Sequence, residues 1–435
     1  MIRPDASRAV ALVNARLFCP ATGRDETGGL VIENGVIAEI GRHAQAAAGA
    51  QRVDCGGALL IPGVTDMLVF TGEPGAEHRE TLASASHSAA AGGVTCVIVM
   101  PDTTPRIDDA AMVDYIERAA RDDAIVRVHP MAALTKRLEG REMAEIGLLQ
   151  AAGAVAFSNG RAPIADARMM RLLLDYAKDL NALVVHLPDD ETLSRGGVMN
   201  EGAVATRLGL PGAPCEAETI VLDRDLRLAA LTRGRYHAAM ISCAASVEAM
   251  AAAKRRGLSV SCGAAIANLT LTEAGVGQYR TYFKVKPPLR TEDERRALVA
   301  GVAKGVIDVI VSNHDPQDVD GKRLPFEEAA YGAIGLETML PAALELHLNG
   351  EIELGPLIAA LTSRPAELLG LPGGRLTVGA PADLAVVSLD ARWTVDAKRL
   401  RSRSKNAIFD ERTFRARVLK TFVGGRIVYE DGVST

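Results

Sequence analysis

Short apolar runs alternate with longer amphipathic segments between about residue 65 and residue 369, and this alternation limits the possible folds more than any other feature of the sequence. Residues 168–181 and 247–256 are two of the amphipathic segments. The apolar runs that separate such segments include 95–100, 126–129, 154–157, 183–186 and 307–311. Strand-then-helix units repeated over roughly 300 residues predict an α/β fold with a closed (β/α)8 barrel of the TIM type rather than an open sheet. Chemistry in such barrels is located where strands end and loops begin.

Both ends of the chain contain short β-like runs instead. An Asn34-Gly35 step separates two apolar runs near the N-terminus, and a Gly-Gly step separates two more near the C-terminus. Such steps are typical of β-hairpin turns, and chain ends often lie close together in folded domains. We therefore expect residues 1–64 and 370–435 to form one small β-sandwich domain, and residues 65–369 to form the barrel.

Composition and charge exclude several classes of partner. The net charge of -5 and the isoelectric point near 6.0 give no reason to expect a polyanion such as nucleic acid. No apolar run approaches the ~20 residues that a bilayer span needs, and the N-terminus lacks the apolar segment of a secretory signal. The cysteines are scattered singly without a CxxC pair, which argues against a zinc ribbon. We expect a cytoplasmic protein with neither nucleic-acid nor membrane partners.

A series of short motifs is spread along the whole chain. They lie at residues 66–75, 90–95, 100–103, 156–158, 286–290, 335–338 and 379–384. In this order the motifs resemble those of the dihydroorotase family of the amidohydrolase superfamily. The resemblance implies hydrolysis or closure of the cyclic amide of dihydroorotate in pyrimidine synthesis. It also implies zinc at the strand ends, held by a His-x-His pair, an acidic or modified bridging residue, two further histidines and an aspartate.

Five of the six metal-ligand positions that the resemblance implies carry other residues in this chain. Leu68 and Phe70 occupy the positions of the His-x-His pair, and Asn159 occupies the position of the acidic residue. Met240 replaces a histidine, and Asn313 replaces the aspartate of an Asp-His-Ala-Pro run. His186 is retained. A catalytic zinc site needs several donors and one open position for water, and thioether sulfur or amide oxygen does not replace imidazole and carboxylate. We therefore expect no bound metal and no other cofactor. Asn313 also lacks the basic site of a general base.

The positions that would hold the substrate have changed as well. Gly72 stands where the family has an arginine that pairs with the substrate carboxylate, and Asp102 and Lys286 stand where it has asparagines. Loss of the arginine removes a bidentate, charge-assisted contact, and Asp102 would repel an anionic substrate. We therefore expect no catalytic and no substrate-binding residues. This pattern predicts a pseudoenzyme of the cyclic amidohydrolase class rather than an enzyme.

The framework motifs persist although the pocket has changed, which indicates that the barrel still folds. Some inactive dihydroorotase-like chains assemble with aspartate transcarbamoylase, and the resemblance implies the catalytic chain of that enzyme as the partner here. It also implies a homo-oligomer, with a dimer favoured. The alternative is an active cyclic-amide hydrolase whose metal site is absent or is relocated to His186, His314 or Asp315. A third possibility is a regulatory module that binds a ligand in the old pocket.

Overall fold

The computed structural model describes residues 9–42, 44 and 50–432, so residues 1–8, 43, 45–49 and 433–435 of the predicted terminal domain lie outside the described residues. Its strands, numbered in chain order, are β1 (Val10–Cys19), β2 (Arg24–Glu33), β3 (Val36–Gly41), β4 (Gln51–Asp54), β5 (Leu59–Pro62), β6 (Val64–Val69), β7 (Val94–Val99), β8 (Arg127–Ala133), β9 (Ala156–Ser158), β10 (Leu183–His186), β11 (Met199–Asn200), β12 (Gly212–Ala213), β13 (Arg235–Ala238), β14 (Val260–Ala265), β15 (Val309–Val311), β16 (Leu384–Ser388), β17 (Trp393–Thr394), β18 (Thr413–Phe414), β19 (Arg417–Val423) and β20 (Arg426–Glu430). Its α-helices are α1 (Leu82–Ala91), α2 (Ala110–Asp123), α3 (Ile146–Ala151), α4 (Ala167–Asp179), α5 (Glu191–Ser194), α6 (Ala203–Leu208), α7 (Glu216–Thr232), α8 (Ala244–Arg255), α9 (Ile266–Thr270), α10 (Glu292–Ala303), α11 (Val319–Arg323), α12 (Met339–Leu348), α13 (Leu354–Leu361) and α14 (Ser363–Leu369).

Both ends of the chain contribute to one sheet, which has eight strands in the described residues. Its order is β20-β19-β16-β5-β1-β2-β3, and β4 pairs parallel to β1. Strand β5 pairs antiparallel to β16 and so joins the N-terminal part to the C-terminal part. The predicted hairpin between β2 and β3 is confirmed, because Asn34 and Gly35 form its turn with φ values of 52° and 78°.

The second large sheet is a barrel, again of eight strands in the part of the chain that the structure describes. Its order is β15-β14-β13-β10-β9-β8-β7-β6, and neighbouring strands run parallel. A parallel bridge between Val69 and His314 brings the segment after β15 back to β6. The predicted α/β fold, a TIM-type barrel with a small β-domain built from both chain ends, is therefore confirmed, and the strands from the two chain ends join in one sheet where a β-sandwich was expected. The domain boundaries at residues 64/65 and 369/370 stay a prediction.

Burial on both faces explains why the barrel strands are apolar. All six residues of β6 and all six residues of β7 are buried, as expected for parallel strands covered by helices. In α4 the buried residues Met170, Leu173, Leu174 and Ala177 recur at spacings of three and four, so one face of this helix packs inward. No helix in the described ranges is long and apolar enough to cross a membrane.

The connection between β10 and α7 follows the carboxyl end of a barrel strand. It occupies residues 187–215 and includes α5, α6 and the paired strands β11 and β12. Leu187, Arg195 and Ala213 of this connection line a cavity at the barrel mouth. This connection therefore builds part of the wall of the candidate site.

Candidate site at the mouth of the barrel

A cavity of about 540 Å³ lies at the carboxyl ends of the barrel strands, and its lining is partly apolar and partly charged. The apolar side chains include Leu68, Phe70, Met100, Leu187, Met240 and Val285. The charged side chains are Arg79, Arg161, Arg195, Lys286 and Arg290, together with Asp189, Glu191, Glu218 and Asp315. A cavity of this size and mixed polarity suits a small molecule.

Three of the family's metal-ligand positions present apolar side chains to this cavity. Leu68, Phe70 and Met240 are 3%, 7% and 2% exposed, and all three line it. They belong to a buried apolar cluster inside the barrel that also contains Met67 and Met100. Only the thioether of Met240 has a lone pair to offer, and such sulfur is a poor substitute for imidazole on zinc. Side-chain packing thus occupies the places where the resemblance puts ligands.

The two asparagines at acidic positions of the family hold loops in place. Asn159 accepts a hydrogen bond on Oδ1 from a threonine hydroxyl at 2.6 Å, and its Nδ2 donates to the carbonyl groups of Leu138 and Ala162 at 3.0 Å each. Asn313 has a left-handed φ of 51° and donates from Nδ2 to the Lys286 carbonyl at 3.2 Å. Both amides are therefore used in the turns that follow β9 and β15.

His186, the retained histidine, is 1% exposed and uses both ring nitrogens within the protein. Its Nε2 accepts a hydrogen bond from the backbone N–H of Ile164 at 2.9 Å. Since Nε2 then lacks a proton, Nδ1 carries it and donates to Asp225 Oδ2 at 2.7 Å. The same carboxylate also accepts hydrogen bonds from Tyr236 and Arg224. His186 is part of the barrel wall, with no lone pair left for a metal ion.

The residues of a relocated metal site are not brought together. His314 is fully buried, its Nδ1 accepts a hydrogen bond from the Gly335 amide at 3.2 Å, and its Nε2 lies 3.5 Å from Glu80 Oε2. Asp315 instead binds Arg161. Among the described residues no three His, Cys, Asp or Glu side chains are grouped so that they could hold a metal ion. The donors present there do not fit the zinc centre that the family implies.

Gly72, at the position of the family's substrate-binding arginine, lies in a left-handed turn with a φ of 80°. A Cβ added at Gly72 would come within 2.8 Å of the Ala76 carbonyl oxygen. A side chain at this position would be both strained and crowded. An arginine is therefore incompatible with the present conformation of loop 72–76.

Asp102 is paired with an arginine that sequence reasoning missed. Arg161 donates from Nε to Asp102 Oδ2 at 2.7 Å and from Nη1 to Asp315 Oδ2 at 2.8 Å. Its guanidinium carbon also lies 4.2 Å from the centroid of the Phe70 ring, a cation–π contact. We call Asp102, Arg161 and Asp315 the mouth cluster. Arg161 thus offsets the negative charge of Asp102 that we expected to repel an anionic substrate.

The charges of the mouth cluster influence one another. Burial raises the pKa of Asp315, Arg161 counteracts this, and the nearby Asp102 raises it again, so that the net shift is upward. Burial alone would lower the pKa of Arg161, but Asp315 and Asp102 together raise it. Arg161 is therefore a permanent cation. Asp315 is a cavity-lining carboxyl group that takes up a proton more readily than an ordinary aspartate.

Lys286, the third changed anchor position, is paired as well. Its Nζ lies 2.8 Å from Asp189 Oδ2, and the two side chains are 35% and 12% exposed. The pair joins the segment before α10 to the connection after β10, and both residues line the cavity. Lys286 thus places a cation at the cavity wall.

The sequence carries a signal that a cation is needed at this site, but not which residue supplies it. The resemblance expects asparagine and alanine where this chain has Asp102 and Asp315, so two strand ends at the barrel mouth have gained a carboxylate. Carboxylates that become buried at one site need a cation. Arg161, three residues after β9, is such a cation at a third strand end.

Comparisons with known proteins agree on one family. Residues 57–246 match the model of Dihydro-orotase-like proteins, and residues 328–429 match that of the Amidohydrolase family. A protein named Dihydroorotase from Syntrophotalea carbinolica is 40% identical, over 97% of this chain and 99% of its own length. The protein of the same name from Anaeromyxobacter sp. is 40% identical over 98% of this chain and 99% of its own length. The one from Anaplasma phagocytophilum is 38% identical over 97% of this chain and 95% of its own length.

Solved structures share the fold over nearly the whole chain. The L-hydantoinase (dihydropyrimidinase) from Arthrobacter aurescens has a TM-score of 0.89 at 26% identity and covers 98% of this chain and 97% of its own. The dihydropyrimidinase from Brevibacillus agri has a TM-score of 0.84, with 97% and 95% covered. At 19% identity the latter likeness concerns the fold alone.

The relatives overturn one expectation drawn from the sequence. Five changed ligand positions led us to expect a chain that is not an enzyme. That expectation is wrong, because proteins 38–40% identical over nearly the full length are named dihydroorotase, which is an enzyme. A few positions specify one way of performing the chemistry, whereas the likeness to the named enzymes extends over nearly the whole chain. By its sequence and its fold, this chain belongs to the dihydroorotase family of the amidohydrolase superfamily.

Proposed function

We propose that this chain acts in pyrimidine biosynthesis on a cyclic amide of the dihydroorotate type, and that it does so at the barrel mouth without the family's zinc ion. One observation carries the proposal. A cavity of about 540 Å³ lies at the carboxyl ends of the barrel strands, where the chemistry of such barrels is located. The chain around it is 40% identical, over nearly its full length, to proteins named dihydroorotase.

The lining of the cavity supports a ligand that combines an apolar ring edge with charge. Phe70 and Met240 offer apolar contacts, and Arg79 offers positive charge, while Arg161 and Lys286 also line the cavity but are paired with carboxylates. Dihydroorotate has a carboxylate beside its cyclic amide. Guanidinium and ammonium groups bind carboxylates through charge-assisted hydrogen bonds, which are stronger than neutral ones.

Opening the cyclic amide requires a proton to leave the attacking water and a proton to reach the amide nitrogen. Asp315 lines the cavity, and its raised pKa suits it to exchange protons nearer neutral pH than an ordinary aspartate. One positioned acid–base group contributes about 10²–10⁴-fold to a rate. We therefore expect slow turnover, with Asp315 as the proton-transfer group.

The test is interconversion of dihydroorotate and carbamoyl aspartate by purified protein that has been treated with a chelator and analysed for metal. We expect turnover that survives the chelator, falls at least about tenfold in Asp315→Asn and persists in Asp320→Asn, a control at an exposed carboxylate. Turnover that appears only when zinc is added would contradict the proposal. So would the absence of any turnover above that of buffer.

A second candidate role is assembly with the catalytic chain of aspartate transcarbamoylase, and it does not depend on turnover. The observation that favours it is that residues which stabilise the fold are kept, whereas residues of the metal site are changed. Glu337 of the framework motif at 335–338 accepts hydrogen bonds from the amides of Arg401 and Ser402, and Arg290 of the motif at 286–290 binds Asn200 and Ala213. These residues hold the folded body together, whereas the changed positions are those of the metal site.

Co-expression with aspartate transcarbamoylase from the same genome tests this role. We expect the two chains to co-elute in size-exclusion chromatography, with a mass that contains this chain as a dimer. Separate elution of the two chains at micromolar concentrations would contradict it. Chromatography of this chain alone tests the dimer, which a monomer mass would exclude.

A further inference from the structure

The mouth cluster draws its residues from separate strand ends. Asp102 follows β7, Arg161 follows β9 and Asp315 follows β15, and the Phe70 ring beneath the guanidinium follows β6. Asp102 and Asp315 are 59 and 154 residues from Arg161 along the chain. One side chain therefore connects four ends of the barrel at its mouth.

We propose that the guanidinium of Arg161 takes the place of the metal ion as the fixed positive charge that holds these strand ends together. Five of the six donors of the family's zinc are replaced among the described residues, and Arg161 lies over Phe70, one of the replaced positions. The inference concerns how the mouth is assembled and does not require that the proposed reaction takes place.

The geometry of the contacts supports a bridging cation. A guanidinium is planar and offers hydrogen bonds in several fixed directions, so it can bind two carboxylates at once. Arg161 uses Nε for Asp102 and Nη1 for Asp315, at 2.7 and 2.8 Å. An ammonium group is a single point charge and does not reproduce this arrangement together with stacking on a ring.

Local backbone structure brings Arg161 into position. Gly160 has a φ of 63°, and a Cβ added there would lie 3.0 Å from the side chain of Asp102. Glycine at this position lets the turn after β9 approach the loop after β7 closely. Arg161 follows directly after Gly160, where the two loops come closest.

The carboxylates depend on this cation. The side chains of Asp102 and Asp315 are 9% and 8% exposed, and Asp102 Oδ1 is buried without a hydrogen-bond partner among the described residues. Two carboxylates that share a poorly hydrated site repel each other unless a cation lies between them. Removal of Arg161 should therefore destabilise the mouth through charge and not merely through lost packing.

The experiment compares thermal unfolding of the full-length protein with that of three variants, each with and without a chelator. The variants are Arg161→Met, the charge-free triple variant Asp102→Asn/Arg161→Met/Asp315→Asn, and Arg16→Met as the control. Arg16 pairs with Asp25 in the terminal sheet, where both side chains are more than two-fifths exposed. If Arg161→Met does not fold, Arg161→Lys and the corresponding triple variant replace it.

We expect the chelator to leave the Tm of the unmutated protein unchanged. Arg161→Met should lower the Tm by at least about 3 °C, and the triple variant should recover about half of that loss or more. Arg16→Met should stay within about 1 °C. The proposal is overturned by tightly bound zinc whose removal lowers the Tm, by an Arg161→Met effect no larger than that of Arg16→Met, or by a triple variant no more stable than Arg161→Met.

Discussion

Two buried aspartates of the barrel, Asp225 and Asp315, each bind an arginine, yet their pKa values shift in opposite directions. Burial alone would raise the pKa of Asp225, but His186 and Arg224 outweigh it and the net shift is downward. The pKa of Asp315 is raised by burial, which its arginine does not overcome while Asp102 lies nearby. The number and sign of the neighbouring charges, and not the mere presence of an ion pair, decide the direction.

The two shifts have opposite consequences for stability. The pKa of Asp225 is lowered in the folded state, so its contribution is present above the unfolded pKa and is lost as pH falls through the folded pKa. The pKa of Asp315 is raised, so its contribution is present below the unfolded pKa and is lost as pH rises through the folded pKa. Rising pH therefore favours the contacts around His186 and Asp225, and falling pH favours the mouth cluster.

Asp225→Ala should have the largest effect, because it leaves His186 Nδ1 and the Tyr236 hydroxyl buried without their acceptor. We expect the free energy of unfolding to fall by about 3–5 kcal/mol, as measured by urea denaturation. Asp223→Ala, at an exposed position of the same helix, should change it by less than about 0.5 kcal/mol. Similar losses in the two variants would show that Asp225 contributes no more to stability than an exposed aspartate of the same helix.

Asp225→Asn should alter the pH dependence of stability in the acidic range. The unmutated protein should lose stability on acidification as Asp225 is protonated, and the variant should lose less, because its amide does not titrate. Urea denaturation at a series of pH values measures this. Parallel curves for the two proteins would mean that Asp225 is not responsible for acid sensitivity.

Asp102→Asn should reduce the loss of stability as pH rises, whereas Asp225→Asn should reduce the loss as pH falls. Removal of the like charge leaves Arg161 to Asp315 alone, so the pKa of Asp315 should fall and less stability should be lost as pH rises. Carbon-13 NMR of the carboxyl groups follows Asp315 directly, with Asp122→Asn as an exposed control. An unchanged Asp315 titration would show that the two carboxylates do not interact.

Lys286→Met should have the smallest effect on stability. The lysine is 35% exposed, and Asp189 keeps a hydrogen bond from the Ser194 hydroxyl at 2.9 Å. We expect the free energy of unfolding to change by less than about 1 kcal/mol in urea denaturation. A loss as large as that of Asp225→Ala would show that the Lys286–Asp189 pair stabilises the fold as strongly as Asp225 does.

Much of the fold could be predicted because its signals are local. The period of the apolar runs indicated parallel strands and helices, and Asn34-Gly35 indicated its hairpin, since a two-residue turn with positive φ values favours these residues. The resemblance identified the changed positions Leu68, Phe70 and Met240, which the structure places together at the cavity. The prediction from those changes that the chain is not an enzyme was wrong. It rested on a few positions, whereas the likeness to proteins named dihydroorotase extends over nearly the whole chain.

The partners of the charged residues could not be predicted in the same way. No periodicity relates Arg161 to Asp102 or Asp315, and the sequence offers many arginines near strand ends. His186 illustrates the same limit, because its use of both nitrogens depends on Ile164 and Asp225, which belong to other segments of the chain.

By itself the sequence determined the barrel, the family and the replacement of the metal-ligand residues, because strand and helix patterns and side-chain chemistry are properties of single segments. Only the tertiary structure decided that Arg161 lies between two carboxylates over Phe70 and that His186 is enclosed in the wall. The physical reason is that electrostatic partners are set by which strand ends converge at the mouth, and convergence is a property of the closed barrel.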